Sequence, residues 1–555
     1  MRVWVMRATG RSTHGTLRMG SSSAPRHYAG RMSRPRLLVL LYAAAVAVSS
    51  FTVLRGIDPF DEGFVLAAAA RVADGQMPYA DFMWPYGPGH PYLLAGASEV
   101  FGNSLLWWRL VRIACDAGVA LLVFVLARRH VPLAPALAAW LCSSCAMAQP
   151  VSANPFPVAL LLGLAGFALA TAPESGRRAV LWAGLLVGIA AAWRLDFGLY
   201  AGGAVTLATV LAPGSEIRDR AGRLSVFAGA ASLTGLALYA PFIVAAGPGD
   251  TYEALIGASS RERSYWTLPF PLSYDGSLRG WPPGALAEDL KDVLGFYVPL
   301  IVTAGFALAA LGCLTVLRGG ARSIAWQLVG LLVLGAGSLL YLLSRTDEFH
   351  ANPGIVVLAV VLPAAAWSLW ELGNPARTLA VGTAWLFALL LVYGVANRTS
   401  ALLQPQPYDS LDLPLAHGVK ARPVDAKALP EVVRLVQRLV PTGEPIYAAT
   451  ARSDIVRYNN PLLYVLTDRP NVLPRDVGLF AKPRTQRRIV ARLRSAKPRA
   501  IVRWNDPISA AREPNLRGRP SGSRAVDEFL ASEYRVRLRR GLYDVLVPRH
   551  ERGSS

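Results

Sequence analysis

The stretch LLVLLYAAAVAVSSFTVL (residues 37–54), followed at once by RGIDPFDEGF (residues 55–64), decides how this chain is read. The first piece is apolar and long enough to cross a hydrocarbon core of roughly 30 Å as a helix. Two adjacent carboxylates, Asp61 and Glu62, stand just beyond its end. Neighbouring charges at a membrane boundary are poor packing material. They face water, hold a cation or do chemistry. Asp58-Pro59 is a turn signal, and Asp61 fits the N-cap of a helix beginning near Gly63.

Ten more apolar blocks follow, at 110–127, 133–148, 156–170, 179–193, 197–211, 226–246, 294–317, 324–343, 353–369 and 379–396. The 555 residues are 53% hydrophobic and 17% charged, where a soluble chain carries about a quarter charged. The expected fold class is an α-helical polytopic membrane protein of about eleven spans. Arginines cluster in the tail before the first span and in alternate short loops, so the positive-inside rule puts the N-terminus in the cytoplasm. In that reading Arg194 and Arg345 sit on the outer side. The net charge of +21 comes without zinc-finger spacing or a basic helix interleaved with aromatics, so nucleic acid is not an expected partner. Cys115, Cys142, Cys145 and Cys313 fall in apolar blocks and read as buried thiols. Residues 1–35 lack acidic side chains and read as a basic cytoplasmic tail, with Met19 and Met32 as alternative starts.

Residues 36–396 form the membrane domain, and its first outer loop is 55–108. From 397 the chain turns polar. An amphipathic helix at 430–440 and short apolar strands at 445–449, 500–504 and 543–547 predict an extracytoplasmic α/β domain over 397–555.

Topology places several ionisable residues on one membrane face, as for a polar cavity at the outer leaflet. The first loop gives Asp61 and Glu62, then Trp84, Tyr86 and His90 in the aromatic run 84–92. Later loops give Arg194 and Asp196, Arg261 and Arg263, and Arg345, Asp347 and His350. Carboxylates beside aromatic faces suit a sugar. An interfacial aromatic belt is the plainer alternative. Asp347 and His350 share a helical face, which permits a divalent cation; a salt-bridged loop explains them equally.

The sequence also resembles a known family, the GT-C membrane glycosyltransferases, and within it the protein O-mannosyltransferase and aminoarabinose-transferase group. Phe60-Asp61-Glu62-Gly63 matches the family's Asp-Glu motif. Met83 to Gly89, MWPYGPG, resembles its downstream Tyr-Gly-Pro segment, and Trp107 to Arg112, WWRLVR, its entry to the second span. The oligosaccharyltransferase signature Trp-Trp-Asp-Tyr-Gly is absent. The resemblance implies inverting transfer from a polyprenyl-phosphate sugar donor to a hydroxyl on a glycan, lipid or protein acceptor. Asp61 would be the general base, with Glu62 beside it. Arg194, Arg261, Arg263 and Arg345 would meet the phosphate. Trp84, Tyr86, His90, Asp196, Asp347 and His350 would complete the substrate site. No cofactor is required, though a divalent cation is compatible. Competing readings are a transporter or flippase of lipid-linked sugars, and a non-catalytic envelope assembly protein. The absence of half-to-half repeats weighs against the transporter.

Overall fold

The computed structural model describes residues 34–549 except 153, 174, 214–215, 320–321, 404–405, 456–458, 477–479 and 511–521. All but the end of the basic tail expected at 1–35 lies outside the described residues. Helix α1 (Arg34–Ser50) leads to two helices of the first loop, α2 (Asp61–Ala73) and α3 (Gly89–Phe101). Then come α4 (Leu106–Ala127), α5 (Leu133–Met147), α6 (Phe156–Ala170), α7 (Arg177–Trp193), α8 (Leu195–Leu211) and α9 (Ile217–Tyr252). A π-turn at Glu253–Gly257 joins α9 to α10 (Ala258–Trp266). Helices α11 (Pro283–Arg318), α12 (Arg322–Ser344), α13 (Glu348–Glu371) and α14 (Ala376–Leu403) complete the bundle.

Each apolar block has become a helix. Among the described residues six are long and apolar enough to span a membrane: α4, α9 continued through α10, and α11 to α14. Helices α1, α5, α6 and α8 are apolar but shorter. The protein is therefore a multi-pass membrane protein, and six of the eleven expected spans are, among the described residues, long and apolar enough to cross. Helix α13 is apolar all round and forms the centre, packed against α4, α5, α11, α12 and α14, as a helix without a polar face must. All four cysteines are free and buried. The loops hold more helix than expected. The aromatic run at 84–92 is extended only to Pro88, where α3 begins. The long second loop is helical through α10 and without regular secondary structure from Thr267 to Trp281.

The C-terminal region opens with a two-stranded ladder, β1 (Asp409–Ser410) with β2 (Lys420–Ala421). It continues through α15 (Pro423–Leu439), β3 (Tyr447–Thr450), α16 (Leu462–Thr467), α17 (Pro483–Ala496), β4 (Ile501–Trp504), α18 (Pro507–Ala510), α19 (Ala525–Glu533), β5 (Tyr534–Arg540) and β6 (Tyr543–Pro548). Four strands form one sheet in the order β3-β4-β6-β5, with β3 and β4 parallel and the other pairs antiparallel. Alternate residues face opposite sides of a strand. Ala448, Val502 and Val545 share a core with α15, α16 and the first-loop residues Phe64 and Trp84. Tyr447, Ala449, Ile501 and Leu546 pack instead on α17 and α19. Strand β5, Tyr-Arg-Val-Arg-Leu-Arg-Arg, escapes sequence reading because it is a mostly exposed edge strand with charges where apolar residues are usual.

A buried ion pair ties the two regions together. Arg71 of α2 donates from Nε to Asp476 Oδ2 (2.9 Å) and from Nη2 to Asp476 Oδ1 (3.1 Å) and the Leu473 carbonyl (2.6 Å). Its guanidinium lies over the Phe82 ring at 5.4 Å. Removing one partner of a buried pair costs about 3–5 kcal/mol. Arg71→Ala is therefore expected to lower the thermal unfolding midpoint and speed proteolysis after residue 403; an unchanged midpoint and cleavage rate would show that other contacts hold the region.

Candidate active site

The site begins with a turn. Asp58 Oδ1 accepts the backbone N–H groups of Phe60 (2.9 Å) and Asp61 (3.0 Å), and α2 starts at Asp61. Successive helical residues diverge by a turn divided into 3.6, so Asp61 and Glu62 point apart. Asp61 lines a cavity of about 1180 Å³. Glu62, expected to share the chemistry, does not line it and is wholly buried. Both its oxygens are taken by Arg109 of α4, Nε to Oε1 at 2.7 Å and Nη2 to Oε2 at 2.9 Å. Arg109 also donates to the carbonyls of Val53 (2.6 Å) and Gly56 (2.9 Å). The pair fastens the segment from the end of α1 to α2 onto the bundle.

Two motif glycines allow the close contacts that shape the loop. A Cβ on Gly63 would meet the Leu462 backbone nitrogen at 2.2 Å, and one on Gly87 would meet the Ala192 carbonyl oxygen at 2.0 Å. Neither neighbour is a side chain that can swing away. Gly87→Ala is therefore expected to destabilise the protein and displace Tyr86 from Arg194, which a lower unfolding midpoint would report; an unchanged midpoint would contradict the close approach.

The cavity gathers Asp61, Tyr86, Arg194, Asp196, Arg263, Arg345, Asp347 and His350 from the predicted set. It does not take in Glu62, Trp84, His90 or Arg261. Trp84 is fully buried behind Tyr86, with its indole N–H on the Gly87 carbonyl at 2.8 Å and its ring 4.7 Å from Phe64. It supports the loop from inside. His90 is enclosed against Trp108, ring centroids 4.4 Å apart, and burial pushes its pKa down to about 3. It is neutral at neutral pH and supplies no cation. Arg261 points to Glu253 on an exposed helix face.

Arg194 lines the cavity with every guanidinium nitrogen occupied. It donates to Asp196 Oδ1 (3.0 Å) and Oδ2 (2.6 Å) and to Asn154 Oδ1 (2.9 Å). Tyr86, Phe197 and Tyr341 surround it with ring centroids 5.0, 5.1 and 4.7 Å away. This is a braced side chain that shapes the wall. Arg345 Nε donates to Asp347 Oδ2 (2.8 Å), while Asp347 Oδ1 accepts from the His350 backbone (2.9 Å) and lies 2.7 Å from His350 Nδ1. Asp347 thus caps α13 and orients both Arg345 and His350, and its oxygens are already engaged. Among the described residues no group of three or more His, Cys, Asp or Glu side chains could hold a metal ion.

Electrostatics separates the two aspartates of the loop. Burial raises the Asp61 pKa to about 6; His350, Arg345 and Arg112 pull it back and Asp347 adds to the rise. Burial raises Asp58 further, to about 8, reinforced by the charges of Asp61 and Glu62 and opposed by the backbone N–H groups it accepts. Both are raised by burial and Asp58 the more strongly, so Asp61 is the readier of the two to ionise, the kind of divergence that assigns roles to paired carboxyls. Burial also works to raise Asp347, but His350 and Arg345 outweigh it and hold it below the ordinary carboxylate value.

Sequence reading missed a whole wall. Tyr408, Arg422, Asp425, Arg475, Trp504 and Asp506 line the same cavity from the C-terminal region. Arg422 donates to Asp425 Oδ2 (2.7 Å) and Asp506 Oδ2 (2.6 Å). Arg475 donates to Glu262 of α10 at 2.9 Å, closing the wall against the second loop. No local pattern marks these positions, because the fold brings them to Asp61 from more than 340 residues away.

No family model and no curated protein matches the chain. Solved structures do. ArnT from Cupriavidus metallidurans in the apo state aligns over 93% of this chain and 98% of its own, with a TM-score of 0.53 and 14% identity. The structure of ArnT from the same organism bound to undecaprenyl phosphate covers the same shares, with a TM-score of 0.54 and 15% identity. What such distant chains share is architecture: along nearly its whole length this protein has the fold of ArnT.

Proposed function

We propose that the protein is an inverting glycosyltransferase. It takes a sugar from a polyprenyl-phosphate donor and transfers it to an acceptor hydroxyl at the outer face of the plasma membrane. The observation that carries the reading is one cavity, in the fold of a protein seen with undecaprenyl phosphate, that brings Asp61 together with Arg345, Asp347 and His350. Asp61 removes the acceptor proton as the hydroxyl oxygen bonds to the anomeric carbon. The bond from that carbon to the phosphate oxygen breaks, and the phosphate leaves with the electron pair. Arg345 and Arg263 meet that charge, with Arg475 on the facing wall; a guanidinium fork suits phosphate oxygens. Tyr86, backed by Trp84 and Arg194, offers the aromatic face for the sugar. The N-terminus is cytoplasmic, and the C-terminal α/β domain over 397–555 lies outside and closes the cavity.

A base works only when deprotonated. The rate is therefore expected to rise with pH through about 6, where Asp61 titrates, and to fall above about 8, where a second charge develops on Asp58. The pH profile of kcat/KM checks this. Asp58→Asn should remove the alkaline limb and keep the acid one; a flat profile between pH 5 and 9 would exclude Asp61 as base.

The function itself is tested by mass spectrometry of envelope glycans and glycoproteins from a strain lacking the gene. One glycan is expected to lose a sugar mass, restored by the wild-type gene and not by Asp61→Asn. Identical glycans in all strains would overturn the reading.

A further inference from the structure

The positive charge of the chain is unevenly spread. Residues 397–555 hold 29 Lys and Arg against 15 Asp and Glu, a net +14 of the total +21. The densest run is 482–499, with eight Lys or Arg and no acidic residue. It coincides with α17. Ile489, Val490 and Leu493 bury one side of that helix against the sheet and α19. Arg484, Arg487, Arg488, Arg492 and Arg494 are exposed on the other.

A solvated face explains this poorly. Arg484 stands three and four residues from Arg487 and Arg488, and Arg488 four from Arg492, spacings at which like charges repel along a helix. Other arginines of the region pair with carboxylates, among them Arg422, Arg452, Arg499, Arg539 and Arg540. Arg484, Arg487 and Arg488 do so with none among the described residues. Topogenesis does not require the charge, because long domains translocate largely regardless of it.

Position narrows the partner. Helix α17 covers the sheet face opposite the one that shares a core with the first loop. The sheet stands between its buried side and that core, and its exposed arginines face away from both. A face turned away from the first-loop core favours an anion presented from the aqueous side over the headgroups around the protein's own bundle. No aromatic residue occurs in 482–499, and single-stranded nucleic acid is held by stacking on aromatics. What remains is a long anion presented from the aqueous side.

We propose that the exposed face of α17 is an electrostatic docking surface for a polyanionic glycan, one bearing carboxylate or phosphate groups along its length. Arginines at successive turns each offer a planar fork to an oxyanion, and binding of this kind weakens as salt rises. The surface lies outside the cavity and its occupancy does not depend on the transfer reaction.

The test uses the purified full-length protein in detergent micelles and fluorescent polygalacturonate as the probe, with dextran of equal length as the neutral control. A triple variant, Arg484→Gln, Arg487→Gln and Arg488→Gln, changes only exposed side chains; its unfolding midpoint is measured alongside. Expected are saturable binding of polygalacturonate that falls with added salt, no binding of dextran, and a loss of about tenfold or more in the folded triple variant. Equal binding by variant and wild type, or no binding by wild type, would overturn the proposal. So would tighter arginine-dependent binding of duplex DNA, or of phosphatidylglycerol vesicles, than of the glycan.

Discussion

Asp61→Asn is expected to lower turnover by about 10²–10⁴-fold, the usual contribution of a positioned general base, while donor binding persists. The change is nearly isosteric and removes only the ability to accept a proton. It leaves the turn that precedes it intact, since the side chain of Asp58, not of Asp61, accepts the N–H groups of Phe60 and Asp61. It leaves the loop anchored, since that depends on Glu62 and Arg109. Single-turnover transfer, measured beside equilibrium binding of the lipid donor, separates the outcomes. Lost transfer with retained binding supports the base. Retained transfer would move the role elsewhere in the cavity.

The second large effect concerns the buried pair that holds the loop. Arg109→Met is expected to destabilise the protein by about 3–5 kcal/mol, because it leaves the Glu62 carboxylate without its partner in a dry site. Both side chains are fully buried. Arg109 also loses its bonds to Val53 and Gly56, so the segment that carries Asp58 and Asp61 is freed. Glu62→Gln should be milder. It keeps the shape and one acceptor oxygen for Arg109, and is expected to reduce kcat while KM for the donor changes little. The thermal unfolding midpoint ranks the two variants. If Glu62→Gln abolishes transfer as completely as Asp61→Asn in a folded protein of unchanged stability, Glu62 is more than a support.

The bundle was readable because apolar blocks and arginine-bearing turns are local signals. All eleven blocks became helices, most of them within a few residues of their expected limits, while α9 and α11 begin nine and eleven residues earlier and α14 ends seven later. The strands expected at 445–449, 500–504 and 543–547 formed as β3, β4 and β6; they carry apolar residues on both faces because helices cover both sides of the sheet. Strand β5 was not legible, since an edge strand with alternating arginines lacks that signature. At the site, the convergence of Asp61, Arg194 and Arg345 followed from topology alone. The burial of Glu62 did not, because it requires Arg109 to stand opposite, and a sequence does not say which of two adjacent carboxylates faces inward. The wall made by Arg422, Asp425, Arg475 and Asp506 was invisible for a similar reason. Each side chain is ordinary in its local context and reaches the cavity only through the docking of the sheet on the first loop.

The central claim is inverting transfer by Asp61 from a lipid-phosphate sugar. Its most direct measurement is the anomeric configuration of the new glycosidic bond, read by NMR on product made by purified protein from polyprenyl-phosphate sugar and envelope glycan acceptor. The account expects the configuration opposite to that of the donor, with no product from Asp61→Asn. Product of retained configuration, or equal product from the variant, would contradict it.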